Sequence, residues 1–143
     1  RWPGKIPANT TSDFVSAQFD MMATFAAIAG TKPNNTDGIS LLPTLLGKNK
    51  EQKQRDYIYW EYPEKGGQLA IRMGDWKGVK VNLRKNLNNP WQIFNLKTDR
   101  NETTDIASEH PELIKRFDEI VKKEHRVSHL LEWEFLENKS GKK

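Results

Sequence analysis

Forty residues in the middle of the chain alternate strand-forming runs with turn residues, and this pattern constrains the fold more than any other. β-Branched and aromatic side chains concentrate in four runs, which are residues 57–62, 68–73, 76–83 and 91–96. Such side chains favour extended backbone. The connections carry turn residues, among them Gly66, Gly67 and Gly74. The sequence therefore predicts a four-stranded antiparallel meander.

A helix with one apolar face follows the predicted strands. Ser108 is a candidate N-cap, and Pro111 fits a first helical turn because its missing N–H would have no partner there. The apolar face consists of Leu113, Ile114, Phe117, Ile120 and Val121. One such helix laid on a four-stranded sheet makes a small α+β core. We predict that residues 108–124 form this helix and pack on one face of the sheet.

For the first thirty residues, the sequence predicts a short extended segment followed by a helix over residues 14–29. Ser12 or Asp13 could cap the helix, and Gly30 can end it. The predicted helix is apolar around most of its circumference, so it needs burial on more than one side. This indicates a missing partner. Residues 31–56 are predicted to be a linker. Its first part, residues 31–38, is polar, residues 40–47 are expected to form a short apolar turn of one or two helical turns, and the charged residues 48–56 are expected to be a mobile surface loop.

Composition excludes several classes of function. The chain has 143 residues, a net charge of +4 and no Cys, so it has no disulfide, thiolate metal site or Cys nucleophile. Acidic residues interrupt the basic ones, which argues against a nucleic-acid partner. No run approaches the ~20 apolar residues of a membrane span. The chain opens at Arg1 rather than Met, and we expect it to be a fragment of a longer protein.

The histidines offer little catalytic chemistry. His125 and His129 have the i, i+4 spacing of metal ligands on a helix, but Arg126 occupies the position that is Glu in zinc proteases. A surface role is therefore favoured for both. His110 has no nucleophile motif near it, and no Gly-x-Ser-x-Gly motif occurs. We predict no catalytic residue and no metal ligand in the chain.

The tip of the first predicted hairpin is the best candidate for a binding site. It carries Glu61, Tyr62, Glu64 and Gln68, and rigid scaffolds often present binding residues on such loops. A solvated hairpin tip is the alternative.

Other polar and aromatic residues have simpler interpretations. Asp99, Glu102 and Asp105 are expected to cap a turn rather than to bind calcium. The residues Trp60, Trp76 and Trp91 could stack on carbohydrate, but packing between sheet and helix, or against another domain, is favoured.

Five motifs occur in order along residues 1–124. They are Arg-Trp-Pro-Gly-Lys-Ile at 1–6, Asp-Met-Met-Ala-Thr with Ile-Ala-Gly over 20–30, Asp-Gly-Ile-Ser-Leu-Leu-Pro at 37–43, Arg-Met-Gly-Asp-Trp-Lys at 72–77, and Phe-Asn-Leu with Asp-Ile-Ala over 94–107. Together they resemble the C-terminal end of the formylglycine-dependent sulfatases, the arylsulfatase-type members of the alkaline phosphatase superfamily. Family members usually have Pro where Ala23 and Arg100 stand.

The resemblance implies a division of the chain. Residues 1–30 would be the last strand and helix of a truncated α/β catalytic domain, followed by the linker at 31–56. Residues 57–125 would form the C-terminal α+β subdomain, and residues 126–143 a tail whose last four residues are expected to be disordered.

The resemblance also implies the chemistry of the whole enzyme. In this family a formylglycine attacks the sulfur, a calcium ion neutralises sulfate charge, and Lys and His assist the leaving group. No motif of this chain matches those residues, so they would lie upstream of Arg1. The upstream catalytic domain would be the partner, the substrate a sulfated small molecule or glycan, and the location periplasmic or secreted. A non-catalytic glycan-binding or interaction module, and a fragment of a related phosphatase or phosphodiesterase, stay open as alternatives.

Overall fold

The computed structural model describes residues 1–137, and the chain divides into two compact units. The first unit is Arg1–Arg55 and the second begins at Asp56. Within the described residues, no helix is both long enough and apolar enough to cross a bilayer. The four C-terminal residues that were expected to be disordered lie outside the described part of the chain.

The second unit contains the predicted meander. Its strands are β1 (Ile58–Tyr62), β2 (Gln68–Met73), β3 (Trp76–Lys80) and β4 (Gln92–Asn95). They pair antiparallel in the order β1-β2-β3-β4, which confirms the prediction. β3 is shorter than predicted because Asn82 takes a positive φ of 57° and its carbonyl accepts the N–H of Lys85 at 3.1 Å. The chain thus turns before residue 83.

The register of the sheet sends every second residue toward a helix. Tyr59, Ile71, Gly78 and Ile93 are paired across the four strands and form one row. Helix α3 (Pro111–Glu124) packs on this face, as predicted, and its buried residues Leu113, Phe117 and Ile120 join the core. Gly78 lets the two layers approach, because a Cβ there would lie 2.5 Å from Cδ2 of Phe117.

The start of α3 differs from the prediction. Ser108 does not cap the helix; it lies within a 3₁₀ turn, Ala107–Glu109. His110 occupies the N-cap position without a side-chain hydrogen bond, and its φ of −129° and ψ of 60° are not helical. A residue before proline is sterically disfavoured in the α region. Because Pro111 follows His110, the helix begins three residues later than expected.

The first unit contains two short helices, α1 (Asp20–Ile28) and α2 (Leu42–Leu45). Residues 1–30 contain α1 but no strand, since a strand requires a hydrogen-bonded neighbour and no described strand pairs with this segment. α1 begins six residues later than predicted, and neither Ser12 nor Asp13 caps it. The Asp20 side chain instead accepts the N–H of Ala17 at 2.8 Å and holds the preceding residues in a turn.

The side chains of Asp20 and Thr24 in α1 form hydrogen bonds with the backbone of the linker that follows. The Asp20 carboxylate, which is 0% exposed, also accepts the N–H of Ile39 at 3.0 Å and pairs with the Arg55 guanidinium. The Thr24 hydroxyl accepts the N–H of Leu41 at 2.9 Å. Burial alone would raise the pKa of Asp20, but the two N–H donors and Arg55 outweigh it, so the pKa is lowered. Asp20 is therefore an ionised anchor of this unit.

Most residues in the charged part of the linker, 48–56, are exposed, as predicted for a surface loop, but two side chains of this segment point inward. Residues Asn49–Glu51 form a 3₁₀ turn, and Gln52 after it is buried. The Gln52 amide accepts the Thr44 hydroxyl hydrogen bond at 2.7 Å and donates to the carbonyl of Ser40 at 3.0 Å. Buried amides need such partners. Because the segment is rich in charged residues, its sequence does not show that the side chains of Gln52 and Arg55 point inward.

One side of α1 has no cover within the described residues. Met21, Met22, Phe25 and Ile28 are exposed, Phe25 by 64%. An apolar patch of this kind marks an interaction surface more often than a solvated one. The sequence prediction that this helix lacks a partner agrees with this exposure.

Candidate substrate-facing hairpin

The β1–β2 hairpin presents a glycine-rich tip at one end of the sheet. Tyr62 and Gln68 form its closing pair. Lys65, Gly66 and Gly67 follow in the loop with φ of 49°, 86° and 75°, a conformation that glycine adopts without steric cost. The carbonyls of Gly66 and Gly67 accept N–H bonds from the segment after β3. The tip is thus a defined turn held from behind.

Tyr62 and Glu64 form the exposed part of the tip. Tyr62 is 44% exposed, and its hydroxyl donates a hydrogen bond of 2.9 Å to Oε2 of Glu64. This bond and the nearby negative charge raise the pKa of Tyr62. The pair offers a ligand an aromatic face beside a carboxylate. Such a combination suits the apolar face and the hydroxyl groups of a sugar ring.

Glu61 is oriented differently, because it points to the helix side of the sheet. Its Oε1 accepts the Tyr59 hydroxyl at 2.6 Å and lies 2.9 Å from Nδ1 of His125. Burial, followed by the bond to Glu61, raises the pKa of Tyr59 strongly, so the phenol remains a donor. Glu61 is therefore partly engaged inside the protein, while Tyr62, Glu64 and Gln68 are not joined to that network.

The open face of the sheet extends the aromatic surface of the tip. Trp60 shares this face with Tyr62, because the two residues are separated by two positions in β1, and it is 37% exposed. Packing, the interpretation favoured from sequence, is confirmed for Trp76 and Trp91. Their rings lie 4.7 Å from the ring of His110 and 5.4 Å from that of Phe117. For Trp60, which lies on the open face of the sheet, packing against another domain stays a prediction.

The acidic residues after β4 hold a turn, as predicted. Asp99 accepts the N–H groups of Thr103 at 2.8 Å and Thr104 at 2.9 Å, and these bonds lower its pKa despite a small opposing effect of burial. Asp105 accepts the N–H of Ile93 at 2.9 Å and so ties the turn to β4. Glu102 instead pairs with Lys77.

The histidines do not converge on a metal. Within residues 1–137, no three His, Asp or Glu side chains are placed to hold a metal ion. The predicted surface role is wrong for His125, whose side chain is only 16% exposed. It lies between two carboxylates, 2.9 Å from Glu61 and 3.8 Å from Oε2 of Glu134. His129 is exposed.

Sequence reasoning missed the residues that support the tip from behind. They are Arg84, His125, Glu134 and Phe135, and three of them belong to or border the segment that was predicted to be a tail. Phe135 is buried in the core of the second unit. Residues 126–137 have neither helical nor strand periodicity, so no local pattern could have indicated this.

Comparison with known proteins identifies the family. The sequence model for the C-terminal part of N-sulphoglucosamine sulphohydrolase matches residues 1–128. Human arylsulfatase A is 40% identical over 79 residues, which is 53% of this chain and 15% of that protein. An N-acetylglucosamine-6-O-sulfatase of Bacteroides thetaiotaomicron is 29% identical over 140 residues, 92% of this chain and 23% of that protein.

A solved structure shows the same architecture. The crystal structure of Ps i-CgsB in complex with k-i-k-neocarrahexaose matches with a TM-score of 0.70 and 31% identity, over 85% of this chain and 27% of that one. The chain thus spans about a quarter or less of the length of these relatives. Its antiparallel sheet with the packed helix has the architecture of sulfatase C-terminal domains. Its series of five motifs resembles theirs as well. The chain belongs to the family of the N-sulphoglucosamine sulphohydrolase C-terminal domain.

Proposed function

We propose that this chain is the C-terminal domain of a sulfatase that hydrolyses sulfate esters on glycans. The family match over residues 1–128 carries the proposal. Two relatives support a glycan rather than an aryl substrate, namely the N-acetylglucosamine-6-O-sulfatase and the structure that contains a neocarrahexaose. As the family resemblance implies, the enzyme would act in the periplasm or outside the cell.

The catalytic groups of this sulfatase lie in the part of the polypeptide that its relatives have and this chain does not span. A divalent cation of the family, usually calcium, needs several oxygen ligands. The described residues contain no cluster of this kind, and the chain has no Cys from which a formylglycine could be made. The family can also make formylglycine from Ser, but no Ser of this chain is followed by the x-Pro/Ala-x-Arg pattern that the family requires. The cation and the formylglycine therefore do not fit this domain, and we assign them to the upstream catalytic domain.

The exposed apolar side of α1 is the surface on which this chain would join the catalytic domain. Met22 and Phe25 are 59% and 64% exposed, and burying a side chain of this size stabilises an interface by about 1.5–3 kcal/mol. The same helix is anchored on its other side by Asp20 and Thr24. A helix fixed on one side and apolar on the other suits a permanent contact within one polypeptide.

The hairpin tip would contact the part of the glycan that does not react. Tyr62 can stack on a sugar ring, and Glu64 and Gln68 can bond to its hydroxyl groups. Interactions remote from the reacting bond contribute to catalysis by positioning the substrate. Glu61 would act indirectly, by fixing the end of β1.

The test uses the full-length enzyme with Tyr62→Ala, Glu64→Ala and Gln68→Ala, assayed on a sulfated oligosaccharide and on a small aryl sulfate. We expect kcat/KM to fall on the order of tenfold or more, about 1.4 kcal/mol, for the oligosaccharide alone. Glu119→Ala, on the exposed side of α3, is the matched control. Equal effects on both substrates, or none, would show that the tip is only a solvated hairpin.

The sulfatase assignment itself is tested with matched esters. The full-length enzyme should hydrolyse an aryl sulfate faster than the corresponding aryl phosphate. The opposite preference would favour the alternative, a related phosphatase or phosphodiesterase, and no turnover of either would favour a binding module.

A further inference from the structure

The segment after α3 is linked to the hairpin in three ways, directly by Phe135 and indirectly through Arg84 and His125. The Phe135 ring lies in the core with Leu69 and Leu83. The same ring covers Gly67, where a Cβ would come within 2.7 Å of Cδ2 of Phe135. Because Gly67 has a φ of 75°, the tip needs glycine there both for its backbone and for this close approach. The ring therefore packs directly against the loop.

Arg84 makes the second contact and joins the tip to the C-terminal segment. Its Nε donates to the carbonyl of Pro63 in the tip at 3.1 Å. Its two terminal nitrogens donate to the carbonyls of Glu132 and Glu134, the latter at 3.4 Å. The guanidinium carbon also lies 5.8 Å from the ring centroid of Phe135. One side chain thus bonds to both segments, using the several donors that arginine provides.

The third contact runs through His125 at the end of α3. One ring nitrogen lies 2.9 Å from Glu61 in β1, and the other lies 3.8 Å from Glu134. Glu134 is buried, and its carboxylate accepts the N–H groups of Ser128, Leu136 and Glu137 at 3.1, 2.8 and 3.1 Å. This carboxylate holds the C-terminal segment in its bent conformation. The segment is therefore ordered by its own bonds as well as by the hairpin.

These contacts lie at the edge of the family pattern. The family match ends at residue 128, whereas Glu134 and Phe135 lie beyond it. They are not on the open face of the sheet, where Tyr62 and Gln68 point. Residues 126–137 consequently contact the tip away from the face on which Tyr62 and Gln68 lie. A loop that is already held in one conformation loses less conformational entropy when it binds a ligand.

We propose that residues 126–137, hereafter the brace, position the substrate-facing tip. The positioning residues are Phe135 of the brace and Arg84, which bonds to both the brace and the tip. The brace rests on the proposed function of the tip. It sets the orientation of Tyr62 and Glu64 through the loop backbone, without touching the glycan. Activity on a large substrate then depends on a segment that lies mostly beyond the family match, which ends at residue 128.

The experiment uses the full-length enzyme with Phe135→Ala and Arg84→Met. Hydrogen exchange of peptides covering residues 61–68 reports the order of the tip, and kcat/KM is measured on a sulfated oligosaccharide and on a small aryl sulfate. We expect tip exchange to accelerate at least tenfold, with a loss of at least threefold in kcat/KM for the oligosaccharide alone. Phe135→Leu, which refills the core, should restore most of both.

Two matched controls separate the brace from its neighbours. Leu131→Ala changes a residue of the same segment that is 77% exposed, and Lys85→Met changes the exposed residue beside Arg84. Both should leave tip exchange and activity unchanged. Slow tip exchange in Phe135→Ala and Arg84→Met would overturn the brace and leave the proposed function intact. Fast tip exchange with unchanged activity on both substrates would instead overturn the substrate role of the tip.

Discussion

Replacing Asp20 by Asn should open the first unit of the chain locally. The carboxylate is 0% exposed and accepts the N–H groups of Ala17 and Ile39 in addition to the Arg55 guanidinium. An Asn retains one acceptor oxygen but places an NH₂ group against donors. It also leaves Arg55, whose side chain is 14% exposed, without a counter-charge. Removing one partner of a buried ion pair costs about 3–5 kcal/mol.

The segment that would open is the linker that Asp20 holds. At 1.36 kcal/mol per tenfold, a loss of about 3–5 kcal/mol should accelerate amide exchange of peptides over residues 37–46 by roughly two to three and a half orders of magnitude. Exchange is measured by mass spectrometry on the full-length protein at constant pH. Peptides from the sheet of the second unit are the internal reference and should not change.

Two further variants decide whether charge pairing is the cause. Asp37→Asn removes an exposed carboxylate of the same linker and should have no effect beyond about threefold. Adding Arg55→Met to Asp20→Asn removes the unpaired charge and should recover part of the protection, since apolar replacement of a buried pair is often nearly neutral. Exchange of residues 37–46 within threefold of the wild type in Asp20→Asn would refute the reasoning.

Three more predictions follow, two on the second unit and one on the whole chain. Gly78→Ala should lower the free energy of unfolding by about 1–3 kcal/mol through overpacking against Phe117, and Phe117→Leu should rescue it in urea titrations. Burial alone would raise the pKa of Glu134. Three N–H bonds and the charge of His125 outweigh burial, so the pKa lies below its ordinary value of 4.5. Its stabilisation is therefore complete above pH 4.5 and lost as pH falls through the lower folded pKa; Glu134→Gln should remove this part of the acid dependence of the urea midpoint. The purified chain alone should not hydrolyse aryl sulfate with or without calcium, and turnover proportional to its concentration would contradict the assignment of the catalytic groups.

The sheet and α3 could be predicted because their patterns are local. Strand periodicity, two glycine turns and one amphipathic helix lie within seventy consecutive residues, and each element follows from side chains near to it in sequence. The same locality explains the errors at the ends. The start of α3 depends on the conformation of His110 before Pro111, and the start of α1 depends on a bond from Asp20 back to Ala17.

The supports of the tip could not be predicted because they act over long separations. Glu61 and His125 are 64 residues apart, and Arg84 and Glu134 are 50 apart. Nothing in residues 126–137 has the period of a helix or strand, so the segment resembled a solvated tail. The same holds for Arg55, which meets Asp20 across 35 residues. A charged residue that pairs inside the fold has no local pattern different from one that faces solvent.

The family motifs in the first unit are explained by structural contacts rather than by chemistry. Asp20 and Thr24 bond to the backbone of the linker. Gly38 is needed because a Cβ there would overlap the carbonyl group of Phe19. These contacts hold the backbone of the first unit in place. The motif match therefore identifies the scaffold of a sulfatase C-terminal domain. Under the proposed function, the choice of glycan would lie in parts outside these motifs, and the tip and its brace are such parts of this chain.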